Sequence, residues 1–218
     1  MSPPVDAILV GLILTSFVLL GSSRFGSCIR VVAFQGVLLG GLTLAAHADE
    51  PSLRASLLAL ASTGLKGVAF PWLLSRALRD ADVRREVEPL VGYGPSVLMG
   101  LVGLAGALWL ASRLPPPSVT VSSSLLVPVA LFTMLAGLFL IVSRRQALMQ
   151  VLGYLVMENG IYTFGVGLVQ DTPMLVELGV LLDVFVAVFV MGIAIFHISR
   201  EFDHIDTERL RTLKDWTP

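Results

Sequence analysis

Apolar runs about as long as a bilayer is thick recur along the chain, each closed off by a short polar or charged stretch. About 20 apolar residues of helix cross the hydrocarbon core of a membrane. Seven segments approach or reach that length: 5–20, 29–46, 53–74, 96–111, 121–142, 147–169 and 174–198. Lipid offers no partner to a free backbone amide, so each segment is predicted to be helical. The pattern therefore predicts an all-α integral membrane protein with seven transmembrane helices. Ser143, Arg144 and Arg145 divide the fifth segment from the sixth, which calls for a tight connection. The first segment has no basic region before it and no small-residue cleavage site after it. It reads as a retained helix rather than a removed signal peptide.

Composition agrees with this class: 55% of the 218 residues are apolar, 14% are charged, and the mean hydropathy is +0.84. The net charge of -1 says little, but the placement of the charges says more. Arg24, Arg30, Arg76, Arg79, Arg84, Arg85, Arg144, Arg145, Arg200, Arg209, Arg211 and Lys214 fall on one side of an alternating seven-span topology, and they are twelve of the 15 Lys and Arg residues. Arg54 and Arg113 are alone on the other side, and Lys66 lies within a span. The positive-inside rule then places the N-terminus outside and the C-terminus in the cytoplasm. In a bacterial cell that means the inner, cytoplasmic membrane. Adding or removing one span would spoil the alternation.

Pro115, Pro116 and Pro117 form a stiff connector. It separates four front helices (1–114) from a unit of three (121–199), and a tail (200–218) follows. In the tail, Ile205, Leu210, Leu213 and Trp216 stand among mixed charges. They fit either a short helix lying on the membrane surface or a solvated end.

Most site chemistries are absent from the sequence. Cys28 is the only cysteine, so this chain by itself forms no disulfide, multi-cysteine zinc site or cysteine-held cluster. His47 and His197 fall near opposite membrane faces and His204 in the tail, which rules out a haem held between two histidines at matched depth. There is no Gly-rich phosphate loop and no HExxH pair. No catalytic triad can be assembled at one depth. The tail has too little basic excess for nucleic acid. No catalytic residue, metal site or cofactor of its own is therefore expected.

What remains are ionisable groups deep in the apolar segments. Each costs about 2.5–3.5 kcal/mol at the bilayer centre on insertion scales, so such groups face protein, a partner or water. At about 1.5 Å of rise per residue, Lys66 lies about 20 Å below the outer surface, Asp183 about 14 Å and Glu158 about 17 Å, all in one central layer. Glu177 sits only about 5 Å below the outer surface. Desolvation disfavours the charged form of any buried ionisable group, which brings such groups towards proton exchange. Pro71 removes an amide from the helix ladder and frees the carbonyl of Gly67, a kink that would admit water beside Lys66 or serve packing alone. Gly160, Gly165 and Gly167 would let another helix approach the sixth span closely. The plainer reading of the charges is structural: Lys66 neutralises Glu158 or Asp183, and the group fixes helix packing.

Arg144-Arg145-Gln146, then Gly153-Tyr154-Leu155-Val156-Met157-Glu158-Asn159-Gly160, then Val176-Glu177-Leu178-Gly179 and Asp183, resemble component E of the hydrogenase-4 type. That family supplies membrane subunits of formate-hydrogenlyase-like energy-converting complexes. The last three spans also resemble the three-helix K subunit of respiratory complex I, which carries carboxylates in its second and third helices. Leu155 occupies the second-helix acid position, and Glu158 follows one turn later on the same face. Asp183 matches the third-helix acid.

The resemblance implies a non-catalytic subunit joining a redox arm of nickel–iron hydrogenase-like and iron–sulfur subunits to antiporter-like membrane subunits. It also implies a proton relay through Lys66, Glu158 and Asp183, with Glu177 at the outer edge. Two alternatives stand beside it: a structural anchor, and a subunit of a cation/proton antiporter outside any redox complex. The topology predicts that a reporter active only in the cytoplasm, fused after Pro218, is active, whereas the same reporter fused before Met1 is silent; comparing the two fusions in cells checks it.

Overall fold

A computed structural model of the chain describes residues 3–46, 60, 63–80, 90–114 and 123–168. Every regular element among the described residues is helical: α1 (Pro3–Gly21), α2 (Phe25–Ala46), a π-turn (Leu65–Ala69) that runs directly into α3 (Phe70–Asp80), α4 (Tyr93–Arg113), α5 (Leu126–Ser143) and α6 (Ala147–Leu168). Proline stands in the first turn of α1 (Pro3 and Pro4), α4 (Pro95) and α5 (Pro128). There the missing N–H would have had no helical partner, and the fixed φ is already helical.

Four of these helices, α1, α2, α4 and α5, are long and apolar enough to cross a membrane. The protein is a multi-pass membrane protein. α6 matches α2 in length at 22 residues, but Gln150, Glu158 and Asn159 interrupt its apolar run. The predicted segment 174–198, the tail 200–218 and the start of 53–74 lie outside the described residues. α1, α2 and α4 extend a little beyond the predicted 5–20, 29–46 and 96–111. α5 starts later than the predicted 121: Ser123 Oγ accepts the Leu125 N–H at 3.3 Å and donates to Asp6 Oδ1 at 2.6 Å. A serine that takes a local backbone donor in this way favours a turn over a helix interior.

α5 and α6 form a tight antiparallel hairpin, closed by residues 144–146, and make the most extensive packing in the structure. The backbones touch along a seam of glycines. A Cβ placed at Gly153 would lie 2.9 Å from the Gly137 carbonyl oxygen and 2.9 Å from the Ile141 nitrogen; one at Gly160 would lie 2.6 Å from the Met134 nitrogen. The expected close approach on the sixth span therefore occurs at Gly160 and, unforeseen, at Gly153 and Gly137. Gly165 faces open space.

Arg144, at the turn of the hairpin, is fully buried rather than solvated as a loop charge would be. Its Nη2 donates to the Leu20 carbonyl at 2.9 Å, and its guanidinium lies 5.0 Å from the centroid of the Tyr93 ring. The Leu20 carbonyl belongs to the last turn of α1, where helical carbonyls lack partners and a cation is favoured. One side chain thus ties the end of α1 and the start of α4 to the hairpin. Burial draws the Arg144 pKa downward, and nearby Tyr93 and Cys28 oppose that shift.

Two apolar clusters fill the interior. One joins Leu19 and Leu20 of α1, Phe25 of α2, Phe70 of α3, Leu140 of α5 and Leu152 of α6. The other joins Leu9 and Leu12 of α1, Leu39 and Leu42 of α2 and Val129 of α5. Along α1, α2 and α5, the buried polar residues Ser16, Gln35 and Thr133 fall between the two clusters. The glycine seam predicts that Gly153→Val destabilises the hairpin by about 1–3 kcal/mol through overpacking, whereas Gly165→Ala has little effect. Thermal unfolding of the detergent-solubilised protein checks both.

Candidate functional site

The polar layer between the clusters is built on a groove in α2. Gly36 and Gly40 are one turn apart, and both face the segment that carries Lys66. A Cβ at Gly36 would lie 2.8 Å from Lys66 Cβ and 2.9 Å from its carbonyl carbon, and one at Gly40 would collide with Thr63. Two glycines at this spacing let helix backbones approach closely. The approaching backbone is the π-turn, in which the Phe70 N–H bonds to the Leu65 carbonyl. Pro71 follows at once. Its ring cannot sit against the carbonyl four residues back in a normal α-turn, and widening that turn relieves the conflict. Pro71 thus follows directly on a π-turn that holds Lys66.

From there Lys66 reaches across to α6. Its Nζ lies 2.7 Å from Glu158 Oε1, in a salt bridge whose side chains are 6% and 4% exposed. Glu158 lies about halfway along α6, so the pair is buried near the middle of the helix. The sequence placed Lys66 and Glu158 at one depth, and the structure brings them into contact. Asp183 and Glu177 lie outside the described residues, as do His47, His197 and His204.

Glu158 and its neighbour Asn159 point about 100° apart around α6, and their environments differ accordingly. Asn159 Nδ2 donates to Gln35 Oε1 at 3.3 Å. Gln35 Nε2 donates in turn to Thr15 Oγ1 at 3.1 Å and to Ser16 Oγ at 3.3 Å. Both hydroxyl protons are already committed to α1 carbonyls: Thr15 to Gly11 at 2.8 Å, and Ser16 to Leu12 at 2.8 Å. The arm runs one way and ends on a helix backbone. It fixes the rotation of α6 against α2 and α1 and offers no mobile proton.

Glu158 is left partly open. Its Oε2 is buried and has no hydrogen-bond partner among the described residues. A buried carboxylate oxygen without a donor is unfavourable by more than a neutral group would be. It is therefore the position where a proton or a water would be held. Lys66 Nζ also lies 5.1 Å from the centroid of the Tyr162 ring. The Tyr162 hydroxyl shares a 2.8 Å hydrogen bond with Thr43. Gln35, Thr15, Ser16, Thr43 and Tyr162 were not singled out from the sequence. Uncharged residues in apolar helices carry little signal there; the Gly36–Gly40 spacing, not used in reading the sequence, could have pointed to the groove that receives Lys66.

The NADH-ubiquinone/plastoquinone oxidoreductase chain 4L family matches residues 125–215. A protein of Mycobacterium tuberculosis that is described as uncharacterized is 32% identical over 214 residues, 97% of this chain and 96% of its own length. Hydrogenase-4 component E of Escherichia coli K12 is 31% identical over 151 residues, 68% of each chain. The same protein of Shigella flexneri matches equally. No solved structure matches. The likeness read from the segments around Glu158 and Glu177 is thereby supported by sequence comparison over two thirds of the chain.

Removing one partner of a buried ion pair costs about 3–5 kcal/mol, because the other charge is left uncompensated. Lys66→Met is therefore expected to destabilise the protein by about that much, and adding Glu158→Gln to Lys66→Met should recover part of the loss. Denaturant unfolding of the two variants beside the parent checks this order.

Proposed function

The chain belongs to the hydrogenase-4 component E family and is a membrane-arm subunit of a complex-I-like hydrogenase assembly, and we propose that its Lys66–Glu158 pair takes part in moving protons through that arm. The observation that carries this reading is the state of the Glu158 carboxylate. One oxygen is held by Lys66, and the other is buried and has no hydrogen-bond partner among the described residues. A purely structural pair gains most when every polar atom is satisfied. An acceptor kept open in a water-poor layer instead suits a group that takes up and gives back a proton.

In this proposal a proton binds at Glu158 Oε2 and weakens the attraction between the carboxyl and the Lys66 ammonium. The change in field then favours proton movement at the next ionisable group in the same layer. By the resemblance, that group is Asp183, with Glu177 nearer the outer surface. The remaining assembly is proposed to comprise antiporter-like membrane subunits and a redox arm with nickel–iron hydrogenase-like and iron–sulfur subunits, in the cytoplasmic membrane. The seven-span topology with its C-terminus in the cytoplasm belongs to the same proposal, supported by the distribution of Arg and Lys.

The structural-anchor alternative draws on the closed Asn159–Gln35 arm, which fixes packing and carries no proton. Glu158→Gln in the assembled complex separates the two readings. The relay predicts that redox-driven proton translocation falls by about tenfold or more while the complex still assembles. Unchanged translocation per electron, with assembly weakened, would leave the anchor.

A further inference from the structure

Arg144 is a buried charge that the proton relay does not use. A guanidinium carries five N–H donors and no acceptor. Nη2 gives one of them to the Leu20 carbonyl at 2.9 Å, and the Tyr93 ring, 5.0 Å away, adds a cation–π attraction. Nε and Nη1 are buried with no hydrogen-bond partner among the described residues, and so is the hydroxyl of the adjacent Ser143. Other positive charge is gathered at the same end of the bundle. Arg145 is exposed beside Arg144, and Arg24 and Arg30 are exposed at the entry to α2 and in its first turns. The first turn of α6 has no acidic residue, so the partial positive charge of its N-terminus adds to that of the arginines. Apolar surface borders the charge. Val142, two residues before Arg144, is 69% exposed, and Leu90, whose N–H bonds to the Ser143 carbonyl at 2.9 Å, is 53% exposed.

We propose that the α5–α6 turn is a binding site for the phosphate of an anionic phospholipid, with Arg144 as its centre. Buried N–H groups without acceptors are costly, and more so on a cation. A phosphate supplies several acceptor oxygens with the charge that the guanidinium lacks, and the planar fork of arginine matches it. The Ser143 hydroxyl is a further donor at the same place. Admitting a phosphate oxygen requires the turn to part around Arg144, and the acceptors gained by Nε and Nη1 favour that change. The turn closes a hairpin of membrane length, so it lies at the level where lipid headgroups are found. Basic pockets between helix ends are suited to such headgroups. A free phosphate would meet only the charges, whereas a phospholipid also lays its acyl chains on apolar surface such as that of Val142 and Leu90. Arg145, Arg24 and Arg30 raise the local concentration of anionic lipid, and Arg144 confers the specific contact. The proposal is independent of the relay at Glu158.

The test titrates the full-length protein, in detergent and stripped of lipid, with phosphatidylglycerol, with phosphatidylcholine of the same acyl chains, and with inorganic phosphate. Thermal unfolding and native mass spectrometry are the readouts. Phosphatidylglycerol is expected to raise the unfolding temperature and to be retained as an adduct, and the other two to do so only weakly at equal concentration. Arg144→Gln should weaken retention of phosphatidylglycerol by about tenfold or more. Arg144→Lys, which keeps the charge and loses the fork, should weaken it by less, and Arg145→Gln hardly at all. Equal stabilisation by inorganic phosphate would overturn the lipid as occupant, and equal retention of phosphatidylcholine would overturn the role of lipid charge. Equal losses in Arg144→Gln and Arg145→Gln would leave only general attraction to a basic surface. If Arg144→Gln does not fold, Arg144→Lys decides, and retention equal to the parent's overturns the proposal. A protein that retains no phospholipid, but whose complex fails to assemble with Arg144→Gln, overturns it in favour of a carboxylate from a partner subunit.

Discussion

A lysine and a glutamate facing each other inside the membrane layer constrain everything around them. Neither charge is tolerable there alone, and at 2.7 Å each makes the other tolerable. The contact demands that a helix bearing Lys66 and a helix bearing Glu158 come close at one height. α2 supplies the groove, because Gly36 and Gly40 let the π-turn lie against its backbone. The hairpin of α5 and α6 supplies the opposing wall, held by the seam of Gly137, Gly153 and Gly160. Side chains larger than hydrogen at these glycines would separate the backbones and, with them, the two charges.

The polar layer is asymmetric in a way that bears on function. On the α1–α2 side, Asn159, Gln35, Thr15 and Ser16 donate in sequence towards α1 carbonyls, and the chain of bonds is complete. Glu158, by contrast, keeps one oxygen without a donor among the described residues, and the Lys66 ammonium that holds its other oxygen lies 5.1 Å from the centroid of the Tyr162 ring. The first half fixes geometry, and the second is the part to which the proposed relay assigns a change of charge. Apolar clusters on both sides of the layer keep water from screening it, so a change of charge at Glu158 is felt strongly by its neighbours. That is the physical basis on which a chain without a redox centre among its described residues would contribute to an energy-converting arm.

The end of the hairpin shows a second use of charge. Arg144 belongs by sequence to the basic loops that orient a membrane protein, yet it is buried and holds the Leu20 carbonyl and the Tyr93 ring. Arg145, beside it, is exposed. Two adjacent arginines of identical composition thus differ in role because the tight turn directs one inward to a helix terminus and the other outward to solvent.

The sequence by itself determined the membrane class, the helical nature of the described spans, the family likeness around Glu158, and the common depth of Lys66 and Glu158. All of these follow from hydropathy, local motif and helical rise, which are properties of position along one chain. It could not show that Lys66 would meet Glu158, because a shared depth says nothing of the lateral arrangement of the helices that carry them. Nor could it single out Gln35, Thr43 and Tyr162, which are ordinary residues until packing turns them towards the charged pair. The burial of Arg144 was likewise hidden, since its sequence context is that of an exposed loop. Depth is a one-dimensional quantity that the order of residues fixes. The contact of Lys66 with Glu158, the closed amide arm and the ring beside the ammonium depend on how helices rotate and approach in the membrane plane, and only the tertiary structure decides that.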